Sequence, residues 1–177
     1  GISNLVEDMR RVKDGEELAL LKEAIARAEG AFLRAKPHIR EGVTERAIAA
    51  RIEDNLKKSG CGSLPFDIIV ASGPNSSMPH ASPTDRKIEA GDLVVVDWGG
   101  EAGGYFSDMT RTVLVAGRDA VAKKRIYSIV LDANMTAVRA VKEGAHARAI
   151  DRAARDFIRK AGYGEFFGHG TGHGVGL

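Results

Sequence analysis

Asp97 and Asp108 are the side chains whose type and spacing first suggest chemistry. They lie in the stretch GDLVVVDWGGEAGGYFSDMTRTVLV, residues 91–115. Leu93 to Trp98 reads as an apolar, β-branched strand that carries an aspartate near its end. Gly99, Gly100, Gly103 and Gly104 supply the backbone freedom of a tight or bulged connection. Tyr105 to Val115 reads as the returning strand. The midpoint between the two aspartates falls at Ala102/Gly103, so a hairpin symmetric about that point makes them direct cross-strand neighbours, with Cβ atoms roughly 5 Å apart. Two carboxylates that close either raise each other's pKa or share a cation. An aspartate at a strand end is also ordinary turn chemistry, and the hairpin alone does not choose.

A second candidate stretch is the tract GHGTGHGVGL at 168–177, with His169 and His173 four residues apart. On a helix that spacing would put both rings on one face. Five glycines make a regular helix improbable, so the tract reads as an extended or bulged segment. Three uses stay open: a ligand-bearing segment, a phosphate cradle, which needs a following helix N-terminus, or a flexible tail.

The elements that must position these groups follow from periodicity. Asp14 and Gly15 precede a helix with Leu18, Leu21, Ile25, Ala28, Phe32 and Leu33 at spacings of three and four. Pro37 and Glu41-Gly42 end it. Thr44 is an N-cap for a second helix with Ile48, Ile52 and Leu56 inward, and Gly60 and Gly62 stop that one. Phe66 to Ala71 is a strand. Ser72 to Asn75 is a turn, and Met78 to Pro83 is an extended loop that carries His80. After the hairpin, a third helix is expected from about Asp119 to Lys142 and a fourth from about Ala147 to Lys160.

Composition narrows the class. The 177 residues are 44% apolar and 28% charged, with a net charge of +2. That fits one soluble globular domain with a sizeable core and points to neither nucleic acid nor an anionic membrane as partner. No apolar run approaches the roughly 20 residues of a membrane span. Gly1–Arg11 lacks the apolar segment of a secretory leader, and the single Cys61 suits a reducing compartment, so a cytoplasmic location is expected.

Residues 41–62, EGVTERAIAARIEDNLKKSGCG, align without a gap with 143–164, EGAHARAIDRAARDFIRKAGYG, and nine of the 22 positions are identical. A long helix precedes each copy and a β-type segment follows. The chain therefore reads as an α-α-β-hairpin unit used twice. At this offset of 102, Leu177 matches Asn75, so the second copy stops before its hairpin. The expectation is a fragment, or a chain that a partner completes.

Three ordered motifs, SGPNSSMPH (72–80), DWGGEAGGYFSDMTRT (97–112) and HGTGHGVGL (169–177), resemble the metallopeptidases of the pita-bread fold. These are the Xaa-Pro aminopeptidases, Xaa-Pro dipeptidases and methionine aminopeptidases. The lead-in VEDMRRVKDGEELALLKEA resembles the linker and first helix of the Xaa-Pro branch. The resemblance implies an α+β pita-bread (creatinase/aminopeptidase-like) fold with pseudo-twofold halves. Residues 1–15 would be a linker from an absent N-terminal domain, and 16–177 an incomplete catalytic domain: a first half at 16–117 and a truncated second half at 118–177.

The resemblance also implies roles. Asp97 would ligate one metal ion, Asp108 would bridge two, and His173 would ligate the other. His80 would contact the scissile peptide and move protons, and His169 would line the site. Two further glutamates, one of them the general base, complete the family's centre beyond position 177. Ligands of this kind suit Mn2+, with Co2+ or Zn2+ as alternatives. The implied activity is hydrolysis of the bond between an N-terminal residue and proline, with short peptides carrying proline second as substrates and a homo-oligomer as a compatible state. The truncated chain by itself is expected to be inactive. The rivals are a methionine aminopeptidase, a non-catalytic binding module, and a metal-free creatinase-like hydrolase. The retained Asp97, Asp108 and His173 argue against the last two.

Overall fold

A computed structural model describes residues 5–117 and 120–177. The first four residues of the lead-in and the expected helix start at Asp119 lie outside the described residues. The chain divides into two compact units, one of residues up to 118 together with Val175–Leu177, the other of residues 119–174.

In the first unit the polar lead-in forms a short helix α1 (Leu5–Arg11) with no buried residue. Helix α2 (Gly15–Ala35) begins in a capping box: Asp14 accepts from the Glu17 amide while Glu17 accepts from the Asp14 amide. Its buried face is Ala24, Ala28, Ala31, Phe32 and Ala35. The expected apolar stripe is thus partly corrected, because Leu18, Ile25 and Leu33 remain substantially exposed. The alanine face lets strand and helix backbones come close. Trp98 donates its indole N–H to the Ala28 carbonyl at 2.9 Å and stacks on Phe32 with ring centroids 4.5 Å apart.

Helix α3 (Glu45–Lys58) starts as expected at Thr44, whose hydroxyl accepts from the Ala47 amide. Ile48, Ile52 and Leu56 are fully buried. Strand β1 (Ile69–Ser72) is shorter and later than the predicted Phe66–Ala71, and a 3-10 turn at Gly73–Ser77 follows. Strand β2 (Leu93–Trp98) is central, antiparallel to both β1 and β5 (Met109–Leu114). Between β2 and β5 the predicted turn is itself a small ladder, β3 (Glu101–Ala102) with β4 (Tyr105–Phe106). The core joins α2, α3 and the sheet through Phe32, Ile48, Ile52, Leu56, Val94, Val96 and Trp98. The Phe106 amide donates to the Gly176 carbonyl at 2.8 Å, so the last residues pair beside β4.

The second unit contains α4 (Ala120–Ala140) and α5 (Ala147–Lys160), packed through Ala133, Ala137, Ala154 and Ile158. Helices of 21 and 14 residues therefore occur in the same order in each unit. The bounds of α5 match those of α3 at the repeat offset, as the alignment predicted. No helix among the described residues is long and apolar enough to cross a membrane.

Candidate metal centre

The turn between β3 and β4 is Gly103-Gly104, with φ of +56° and +83°. Two consecutive positive φ angles are the signature of a type I′ hairpin, which only glycine-like residues adopt without strain. This turn centres the hairpin between 103 and 104, one residue later than the symmetric reading placed it. The register follows: Asp97 pairs with Thr110, and Trp98 with Met109. Asp108 falls level with Gly99, two residues from the partner of Asp97. The expected direct cross-strand pair is thus corrected: the partner of Asp97 is Thr110, and Asp108 lies one residue before β5, outside the ladder.

Both aspartates are half-buried. The Thr110 hydroxyl donates to Asp97 Oδ1 at 3.0 Å. Asp108 is fixed by the bend beside it: the Ser107 amide donates to the Gly100 carbonyl and the Gly100 amide to Ser107 Oγ, both at 2.9 Å. Gly99 makes this bend possible, since a Cβ there would lie 2.1 Å from the Ser107 carbonyl oxygen and 2.4 Å from Pro65 Cγ.

His80 is exposed, in a turn of the 73–86 loop. That loop is tied down by Glu45, the first residue of α3, which is fully buried. Glu45 Oε1 accepts from the Ser72 amide and hydroxyl, each at 2.7 Å, and Oε2 accepts from the Thr84 amide at 3.0 Å and hydroxyl at 2.6 Å. Asn75 Nδ2 donates to both oxygens. Burial by itself raises the Glu45 pKa, but the hydrogen bonds from Thr84 and Ser72 outweigh it and hold the carboxyl below its ordinary value. Arg86 donates to Ser72 Oγ at 2.7 Å and to the buried Asp92 at 2.6 Å, which extends the network to the edge of β2.

In the second unit the histidine tract forms no helix, as expected, but it bends at His169 and Thr171 where an extended run was expected, and both rings are exposed. His169 Nδ1 lies 2.8 Å from the Gly170 carbonyl oxygen, and His173 Nδ1 lies 2.8 Å from that of Gly174. A carbonyl oxygen only accepts, so each Nδ1 donates here, and in the neutral ring the lone pair is then on Nε2. That is the tautomer a metal-ligating or base histidine needs. Asp151 and Arg155 on α5 hold the tract. Arg155 donates to Asp151 from Nε and Nη2, each at 3.0 Å, and to the carbonyls of Phe167 and His169 at 2.9 and 2.8 Å. Asp151 Oδ1 accepts from the Thr171 amide and hydroxyl at 3.0 and 2.9 Å. The Arg155 guanidinium and the Thr171 donors hold the Asp151 carboxyl well below the usual carboxylate range.

Asp97 and Asp108 thus share one hairpin, while His169 and His173 share one tract of the other unit. Among the described residues, no group of three or more His, Cys, Asp or Glu side chains is gathered to hold a metal ion. The donor types themselves fit a divalent cation: two half-buried carboxylates of one hairpin and two exposed imidazoles. Sequence reasoning missed Glu45, Asp151 and Arg155. Glu45 reads as a routine acid in a first helical turn, and Asp151/Arg155 as a routine i,i+4 surface pair. No local signal marks either as a loop anchor.

The profile of metallopeptidase family M24 matches residues 19–177. The Xaa-Pro dipeptidase of Pyrococcus furiosus is 42% identical over 176 residues, 99% of this chain and 50% of the relative. An X-Pro aminopeptidase structure from Thermotoga maritima is similar at 44% identity and a TM-score of 0.93, over 99% of this chain and 49% of that one. A Xaa-Pro dipeptidase structure from Bacillus anthracis reaches 0.94 at 43% identity, with the same coverages. The chain spans about half the length of the curated relatives it matches. The aspartate hairpin, the histidine tract and the repeated helix pair all lie inside the matched span, with the pita-bread fold of these neighbours, and the chain belongs to metallopeptidase family M24.

Proposed function

We propose that this chain contributes Asp97, Asp108 and His173 to a dinuclear metal centre of an exopeptidase that cleaves between an N-terminal residue and proline. The observation that supports the reading is the hairpin itself, which carries half-buried Asp97 near the end of β2 and half-buried Asp108 just before β5. The relatives named Xaa-Pro dipeptidase and X-Pro aminopeptidase support the substrate class.

Two divalent ions held there, Mn2+ in this reading, supply Lewis-acid activation of water and of the scissile carbonyl when bound. The chain's own residues do the rest. Asp97 and Asp108 balance the positive charge, with Thr110 fixing the Asp97 rotamer. His173 presents Nε2 because its Nδ1–H is committed to Gly174. His80, on the loop that Glu45 anchors, donates a hydrogen bond to the substrate and passes a proton to the leaving nitrogen. His169 lines the site. The peptide enters with proline second, in a cytoplasmic setting.

The test is hydrolysis of Xaa-Pro dipeptides and longer Xaa-Pro peptides, beside Met-Ala controls, by a protein of the relatives' length that carries this chain, with Mn2+, Co2+ or Zn2+ added in turn. Metal-dependent release of the residue before proline, abolished by a chelator, is expected. No Xaa-Pro cleavage with any of these metals, or undiminished cleavage after chelation, would overturn the proposal.

A further inference from the structure

A tract with glycines at 168, 170, 172, 174 and 176 has a high entropic cost of ordering. Its histidines cannot be aimed by their own backbone. The anchors observed in the second unit answer this cost in a regular way. Arg155 grips the carbonyls of Phe167 and His169, and Asp151 grips the amide and hydroxyl of Thr171. The gripped positions are 167, 169 and 171, the last two at bends of the chain, and His173 lies two residues beyond the last grip. The guanidinium also lies 4.6 Å from the Phe167 ring centroid, and that ring meets His169 edge-on at 4.9 Å. Arg155 is itself held by Asp151 in a bidentate fork, a geometry that lysine cannot reproduce.

We propose that Asp151 and Arg155 are positioning residues for the metal centre: a helix-borne clamp that orders the 167–171 backbone and so presents His173 Nε2 to the metal. The inference rests on the reading of His173 as a ligand. Neither clamp residue touches the metal or the substrate. Loss of outer partners of this type weakens metal affinity about 10–100-fold.

The experiment titrates Mn2+ into a protein of the relatives' length that carries this chain and compares Asp151→Asn, Arg155→Lys, Thr171→Val and His173→Ala, with circular dichroism to confirm folding. The metal-free proteins are read in parallel by 15N NMR of the His173 ring and by hydrogen exchange of the Thr171 amide. The expected result is a folded Asp151→Asn protein with about 10–100-fold weaker Mn2+ binding, a deprotected Thr171 amide, and a His173 ring no longer held as the Nδ1–H tautomer. If Asp151→Asn does not fold, Thr171→Val carries the test, because it removes one donor from the tract and leaves α5 intact. The same direction of change, smaller in size, is then expected. If His173→Ala weakens Mn2+ binding while the clamp variants stay within twofold of the parent, the clamp is refuted and the ligand reading stands. If His173→Ala itself leaves affinity unchanged, the ligand reading fails, and the clamp's role at the metal fails with it.

Discussion

Replacing Glu45 by alanine removes a side chain far from both aspartates yet strikes the loop that carries His80. The five donors that converge on this carboxylate are the Ser72 amide and hydroxyl, the Thr84 amide and hydroxyl, and the Asn75 side-chain amide. Ser72 is fully buried, so water cannot replace the lost acceptor at its amide. Each buried donor left unmatched costs about 1–3 kcal/mol, while the exposed Thr84 rehydrates. The Ser72 hydroxyl, which also accepts from Arg86, loses the acceptor that orients it. The sum over the two Ser72 donors is about 2–6 kcal/mol, a large share of the roughly 5–15 kcal/mol of a typical domain.

Glu45→Gln keeps the shape but turns one oxygen into a donor facing donors, at either the Ser72 or the Thr84 end. Orienting the remaining oxygen toward buried Ser72 limits the loss to about 2–4 kcal/mol, since bonds to a charged acceptor are worth about 1.5–3 kcal/mol each. The assay is urea unfolding at pH 7, where an m of about 1–3 kcal/mol/M converts the glutamine loss into a midpoint shift on the order of 1–3 M. An unchanged midpoint in Glu45→Ala, within about 0.5 kcal/mol, would refute the claim that this carboxylate anchors the loop.

Other consequences follow from the same geometry. Glu45 and Asp151 both have folded pKa values below their ordinary ones. Their stabilisation is complete above the ordinary carboxylate range and is lost as pH falls through the folded values. Acid unfolding below about pH 4.5 should therefore have a shallower pH dependence in Glu45→Gln than in the parent, as read by urea midpoints between pH 7 and pH 2. Gly99→Ala would drive a methyl group into the Ser107 carbonyl and Pro65, so thermal unfolding should show a loss of about 3 kcal/mol or more, at or above the upper end of ordinary overpacking costs. Gly104→Ala, with φ of +83° but open space around its Cβ, should cost only about 1–2 kcal/mol of backbone strain. Equal losses at the two positions would contradict the close-approach argument.

Much of this was legible in the residues. Thr44, Ile48, Ile52 and Leu56 declared α3, and the repeat carried the same bounds to α5. The apolar run 93–98 and the glycines after it declared the hairpin. Its register was not legible, because Gly99, Gly100, Gly103 and Gly104 are equally permissive. The turn settled on 103–104, where both φ angles are positive, and the others serve close approach. The inward face of α2 was also obscured, since small alanines are selected by the nearness of the sheet backbone at Trp98 and not by hydrophobicity. The loop anchors were hidden for a related reason. Glu45 makes its bonds to residues 27 to 39 positions away, a distance no local pattern spans, and Asp151 reaches Thr171 across 20. The candidate ligands Asp97, Asp108 and His173 were nameable from motif alone, while the devices that aim them required coordinates.

The most direct measurement is the metal content of a protein of the relatives' length that carries this chain, and of its Asp108→Ala variant, taken together with Xaa-Pro hydrolysis. The account predicts two divalent ions per molecule of the active parent, and in the variant a loss of metal and of activity together. An Asp108→Ala protein that kept both its full metal complement and its full Xaa-Pro activity would contradict the assignment of this hairpin as the core of a dinuclear centre.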